Sequence, residues 1–230
     1  MKHLILAAFL LSAAPAAAAT RNFGVSGFDR VRVDGDYKVT LTVGAAPFAK
    51  ASGSMRALDP VEIVVEGRTL IVRAKKSASW GGYPGESAGP VEVLIGTHEL
   101  TAAFVNGAGS LAINRVRGLK FEASAQGAGA IAIDQVEVDQ LQIGLAGAAS
   151  ARLAGTALKL TAVVRGTSLV DGEGLVVKDA VIGAQGPAIV KLTATGTAKV
   201  DAIGVAAVTL AGKPSCVVTT KGSASVSGCR

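Results

Sequence analysis

The chain has 230 residues, half of them hydrophobic, 17% charged and only 4% aromatic, with 29 glycines and a formal net charge of +6. The basic residues stand singly, as at Arg115, Lys159, Arg165, Lys178, Lys191 and Lys199, with no basic run and no aromatic interleaving, which excludes a nucleic-acid platform. Few aromatics and many small residues suit a thin core made by stacking, not a bulky globular one.

Residues 1–19 have the layout of a secretory signal peptide. Met1, Lys2 and His3 are a short basic start, Leu4 to Leu11 an apolar run, and Ser12 to Ala19 a small-residue stretch ending in Ala17-Ala18-Ala19. Cleavage is expected before Thr20. The apolar run falls far short of the ~20 residues that a bilayer span needs, and no later segment is apolar for long enough. The mature protein is therefore expected to be exported, periplasmic or extracellular, and not membrane-spanning. Thr20 to Arg230 makes 211 residues, enough for one all-β domain. Its N-terminal strands and loop occupy 20–99, and its repeated coils 100–230.

In chain order, Phe28-Asp29-Arg30-Val31-Arg32-Val33 alternates, Asp34-Gly35-Asp36 turns, and Tyr37 to Val43 alternates again. Val61 to Val65, a Glu66-Gly67-Arg68 turn and Leu70-Ile71-Val72 read as a hairpin. Ser77 to Pro90 is a Gly/Pro/Ser-rich loop holding Trp80, the only Trp, and Tyr83. Exposed aromatics on such a loop can grip a sugar or a protein, so Trp80 and Tyr83 are the candidate ligand loop. The competing reading folds their rings against the first coil. Val91 to Ile95 is another strand. Together these strands are expected to form a β-layer that begins the stack and covers its first coil, hiding strand edges that would otherwise be unpaired.

From Leu100 onward one unit recurs: an alternating apolar segment, a Gly-small-small turn, and a second short alternating segment. The leading turn glycines are Gly107, Gly127, Gly147, Gly166, Gly186, Gly204 and Gly222, at spacings of 20, 20, 19, 20, 18 and 18. Within a unit the period is two, as in Leu111-Ala112-Ile113 and Leu141-Gln142-Ile143-Gly144-Leu145. A tetratricopeptide unit would need about 34 residues, and the Asn ladder of leucine-rich repeats is missing. Such units are turns of a β-solenoid. Equivalent residues then stack at ~4.8 Å, so a corner that needs positive φ in one coil needs it in all. Glycine meets that need without a Cβ penalty.

These residues resemble the GIN-domain family, the head domain of auto-transporter adhesins. The resemblance covers nearly the whole mature chain. It rests on the opening Phe28 to Gly35 followed by Lys38-Val39-Thr40-Leu41-Thr42-Val43, on the succession of glycine turns from Asn106, and on the close. There Leu210-Ala211-Gly212-Lys213-Pro214 precedes Lys221-Gly222-Ser223-Ala224-Ser225-Val226. The chain departs from the pattern where Ala148-Ala149, Thr167-Ser168 and Pro187-Ala188 replace the second glycine, which argues against a chemical job for that glycine. The resemblance implies a right-handed parallel β-helix in a bacterial envelope or secreted protein, with no established catalytic activity.

The residues themselves offer little chemistry. Beyond the leader only His98 remains, at a strand end, where histidine is usually structural. One His and two Cys do not make a zinc site. Asp34-Gly35-Asp36 lacks an EF-hand loop around it and reads as a turn. The Gly-x-Gly turns have no helix behind them to make phosphate loops. Asp134, Glu137 and Asp139, then Asp171, Glu173 and Asp179, fall in corner segments where solvated charges are expected. No catalytic, cofactor-binding or metal residue is assigned. Cys216 and Cys229 are expected to pair in an oxidising compartment and to pin the last coil. Since thirteen residues fall short of a full coil, the tail after Gly222 is expected to fold back across the end to bring them together.

The expectation is a non-enzymatic, adhesin-like interaction module whose partner is an envelope molecule, a glycan or its own copies. The alternative is a polysaccharide-active or polysaccharide-binding β-helix protein. The leader makes one prediction. Protein exported from a bacterial host should begin at Thr20 by N-terminal sequencing, and a chain that keeps residues 1–19 would refute the processing site.

Overall fold

The computed structural model describes residues 19–75 and 89–230, and 73% of the chain is strand against 2% helix. The N-terminal elements are β1 (Ala19–Phe23), β2 (Arg30–Asp34), β3 (Lys38–Val43), β4 (Phe48–Gly53), α1 (Met55–Leu58), β5 (Val61–Glu66), β6 (Thr69–Ala74) and β7 (Glu92–Thr97). The repeated part comprises β8 (Ala102–Gly107), β9 (Ser110–Ile113), β10 (Val116–Gly127), β11 (Ala130–Gly147), β12 (Ser150–Gly166) and β13 (Leu169–Gln185). It ends with β14 (Ile189–Gly204), β15 (Ala207–Ala211), β16 (Ser215–Gly222) and β17 (Ser225–Ser227).

The strands stack as a parallel β-helix of about six turns. A full coil crosses three sheets, so β10 to β14 run unbroken round the corners. The first sheet holds the segments that end in the glycine turn, with Ala123 over Ala103, Ile143 over Ala123 and Ala162 over Ile143. The second holds the segments that follow the turn, with Ile131 over Leu111 and Ala151 over Ile131. The third holds the short connecting sides, with Val136 over Val116. Through β15 every second residue along the sides points inward and is buried, the period-two pattern legible in the chain, whereas the last coil, β16 and β17, is largely exposed. Ala123, Ile143, Ala162, Ile182 and Val200 form one such column. Its alternation of small and large side chains fills a thin interior with few aromatics.

The N-terminal layer does cover the first coil, by a route the sequence hid. Strands β2 and β3 are themselves a coil. They pair in parallel with β8 and β9 on one side and with β6 and β7 on the other. Strands β2 and β3 thus lie inside the stack, between strands that come later in the chain. Antiparallel strands close the outer end: β5 on β6, β4 on β7, and β1 on β4. α1 is one turn, with its Ser54 cap accepting from Ala57 N at 3.1 Å.

The uneven glycine spacing is absorbed on the third side. Register shifts fall between Ile133 and Val136, and between Gly172 and Val176. Toward the C-terminus that side shrinks to Gly212-Lys213-Pro214, between β15 and β16, so the coils narrow.

At the first corner the glycine column gains an eighth member, Gly35, beneath Gly107. Two requirements meet there. Gly107, Gly127, Gly147 and Gly166 have φ of 108°, 84°, 90° and 77°, a region costly for any L residue with a Cβ. In addition, a Cβ on Gly127 would lie 2.8 Å from Gly107 O, the same oxygen that accepts from Ala128 N at 2.8 Å. The second turn position faces inward and is tight: Gly109 and Gly129 in early coils, then Ala149, Ser168, Ala188 and Ala206, all buried. Small size, not glycine chemistry, is what it requires.

Two alanine substitutions separate these causes. Gly127→Ala should cost at least about 1–3 kcal/mol, from positive φ and the clash together. Gly183, mid-strand with ordinary φ and its nearest atom 4.0 Å from a built Cβ, should accept Ala with a gain of roughly 0.5 kcal/mol. Equal melting temperatures for the two variants would refute the column.

Candidate interaction surfaces

Because equivalent residues stack, outward side chains also form columns, and their sizes carve the outer faces. On the second sheet Ser110, Ala130 and Ser150 stack beside Ala112 and Ala132. They make the floor of a mostly apolar trough of about 310 Å³, bounded by Lys38 and Thr40 at one end and by Arg152, Leu169 and Asp171 at the other. Lys38 Nζ is held 2.8 Å from Glu92 Oε1. At that end Leu169 stacks with Ile189, both exposed.

A second hollow, of about 500 Å³, lies near the C-terminal end between Lys159, Asp179, Thr197, Lys199, Ser215 and Val217. Thr197 donates to Asp179 Oδ1 through its hydroxyl at 2.6 Å and its backbone N–H at 3.1 Å. These bonds, the side-chain one foremost, hold the Asp179 carboxyl below the usual carboxylate range.

Cys216 and Cys229 are joined by a disulfide, with Cα atoms 5.7 Å apart. The tail does not fold back as the spacing suggests. β17 continues in register on β15, Gly228 packs over Leu210, and Arg230 N reaches Pro214 O at 3.0 Å. The chain therefore almost completes its circuit. Cys229 arrives beside the corner where β16 began, and the bridge closes the contracted third side. Thirteen residues are the other two sides of the last coil.

The carboxylates weighed in the sequence are dispersed. Glu137 pairs with Arg117 at 2.8 Å, Glu173 with Lys191 at 3.1 Å, and Asp179 is engaged by Thr197. Asp134 and Asp139 are exposed. His98 is exposed after β7. Among the described residues no three His, Cys, Asp or Glu side chains are grouped to hold a metal ion, and no helix is long and apolar enough to cross a membrane. Trp80 and Tyr83 lie outside the described residues.

One buried polar group escaped the sequence reading. Asp29, within the Phe28–Gly35 opening, is only 4% exposed. Strict alternation from Val31 and Val33 places it on the inward face, and that was the signal available.

A narrow β-helix with a closed last coil and long uncovered lateral faces places the chain among the repeat-built β-solenoids. The family model for the "Putative auto-transporter adhesin, head GIN domain" matches residues 27–214, and the chain belongs to that family. No curated protein matches it in sequence. The fold is shared with the crystal structure of a putative adhesin from Bacteroides fragilis, at TM-score 0.83 and 17% identity over 92% of this chain and 97% of that one. A putative lipid binding protein from Parabacteroides distasonis gives a TM-score of 0.71 at 18% identity, covering 91% of this chain and 95% of its own. A putative adhesin from Parabacteroides merdae gives 0.66 at 15% identity, with the same coverages.

The closed last coil makes its own prediction. Reduction, or Cys216→Ser with Cys229→Ser, should lower stability by about 3 kcal/mol in the chain-entropy estimate. Amide exchange should quicken in β16 and β17 and stay slow in β12. Unchanged exchange in β16 and β17 would show that the bridge does not hold the coil.

Proposed function

We propose that this protein is an exported, non-enzymatic interaction module of the bacterial envelope or cell surface, adhesin-like in action. The observation that carries this reading is the stack itself. Its lateral faces are rows of outward side chains fixed by backbone pairing, a rigid surface that loses little conformational freedom on binding. Family membership and the disulfide support a role outside the cytosol, and the leader-like residues 1–19 point the same way. The partner is an envelope molecule or glycan, with self-association the other form such contact could take. On sequence grounds Trp80 and Tyr83 belong to this proposal as a ligand-contacting loop.

The test is direct. Mature Thr20–Arg230 protein, disulfide intact, is immobilised and exposed to purified envelope polysaccharides and detergent-free envelope fragments. Saturable binding that weakens in Trp80→Ala/Tyr83→Ala is expected. No saturable binding to any fraction would sink the adhesin-like reading. Saturable binding untouched by the double variant would remove only the loop.

A further inference from the structure

The outer face of the second sheet divides into two unequal halves. Along the column that starts at Lys38, successive coils carry Ser110, Ala130 and Ser150, then Leu169, Ile189 and Ala207. A trough floored by small side chains is thus followed by a ridge of two large apolar ones. Leu169 is 38% exposed and Ile189 45%.

The neighbouring outward column, two residues further along each strand, repeats the division. Ala112 and Ala132 precede Arg152, Asp171 and Lys191. Lys191 is matched within the chain by Glu173 at 3.1 Å. Arg152 and Asp171 stack in adjacent coils, and neither closes an ion pair among the described residues.

A second copy meets both divisions when turned about a two-fold axis lying in the face and running along the strands. That rotation reverses the order of the coils and sets each column against itself. With the axis between the coils of Ser150 and Leu169, Leu169 of each copy lies over Ser150 of the other, and Ile189 over Ala130. Each ridge enters the other copy's trough. In the neighbouring column Arg152 faces Asp171 twice, and Lys191 faces the uncharged Ala132. Through these four coils small meets large, which suits the ~10 Å spacing of packed sheets.

Other arrangements lose the match. With the axis moved onto either central coil, Arg152 meets Arg152 or Asp171 meets Asp171, and like charges in contact are repulsive. A two-fold axis along the stack would set Leu169 against Asp171 and Ile189 against Lys191. A lone acyl chain could fill the trough, but it would leave Arg152 and Asp171 unused.

We propose that this face is a self-association surface, through which two copies pair side by side with their coils running in opposite directions. It rests on the interaction-module reading and names the protein's own copy as a partner. The strip is six coils long, roughly 29 Å at ~4.8 Å per coil, and two side chains wide. That is small against the ~800 Å² per partner of a standard interface. The pairing is therefore weak in free solution and gains from local concentration where copies share a surface.

Sedimentation velocity of the mature protein, disulfide intact, from about 10 μM to about 1 mM should show a reversible monomer–dimer equilibrium. Ala130→Arg fills the trough, and Leu169→Ser with Ile189→Ser removes the ridge. Each should weaken the dimer about tenfold or more, whereas Val163→Lys, exposed on the first sheet, leaves it unchanged. All these side chains face outward, and melting temperatures check that each variant folds. Charge reversal tests the register. Arg152→Asp and Asp171→Arg should each be monomeric alone, because like charges then meet at both places. An equimolar mixture of the two should dimerise, because opposite charges meet again. A monomer at every concentration overturns the surface, as does a dimer indifferent to Ala130→Arg or a mixture that fails to associate. Saturable uptake of a fluorescent fatty acid by protein that stays monomeric gives the trough to an acyl chain and overturns it too. If monomeric protein still binds envelope material, only self-association is lost and the broader function stands.

Discussion

The structure depends on one constraint: each coil pairs with the next through parallel backbone hydrogen bonds, residue above residue. The glycine corner shows how strict this is. Gly107 O accepts from Ala128 N at 2.8 Å, Gly127 O from Ala148 N at 2.8 Å, and Gly204 O from Ser223 N at 2.8 Å. A Cβ at Gly107, Gly127, Gly147, Gly166 or Gly222 would lie 2.5–2.9 Å from the carbonyl oxygen of the glycine beneath, while at Gly186 and Gly204 positive φ carries the requirement. Positive φ alone would tolerate an occasional asparagine; positive φ with a neighbour one coil spacing away leaves only glycine.

A stack of this kind must manage its two ends. The N-terminal end is closed by changing direction, with β5, β4 and β1 laid antiparallel on the outermost parallel strands. The C-terminal end is handled covalently. As the third side contracts, the coil loses the segment that would lead back to its own beginning, and the Cys216–Cys229 bridge spans that gap. The two solutions share a purpose, since a strand edge without a neighbour frays and recruits foreign strands.

The same stacking that builds the core also builds the outer surface. Side-chain size varies freely where it faces water, so short residues in register make troughs. The trough over Ser110, Ala130 and Ser150 arises in this way. Binding features on a solenoid follow from column composition, which is why single-residue motifs of enzymes are a poor guide to them.

From the sequence alone, the fold class, the period, the seven-glycine column and the identity of the cysteine pair were legible. Each rests on local chemistry or a simple count: a Cβ penalty, an alternation, two thiols in a chain with a leader-like start. What only the tertiary structure decided was non-local. The insertion of β2 and β3 between later strands, and hence Gly35 as the column's eighth member, depends on pairing across a long stretch of chain that no period announces. The route of the bridge depended on how far the third side contracts, which is set by register shifts between coils. Asp29 is the plainest case. Its place in line with Thr101 and Phe121, in the buried column that Leu141 and Leu160 continue, appears only once the coils are aligned in space, because burial belongs to the stack and not to the residue.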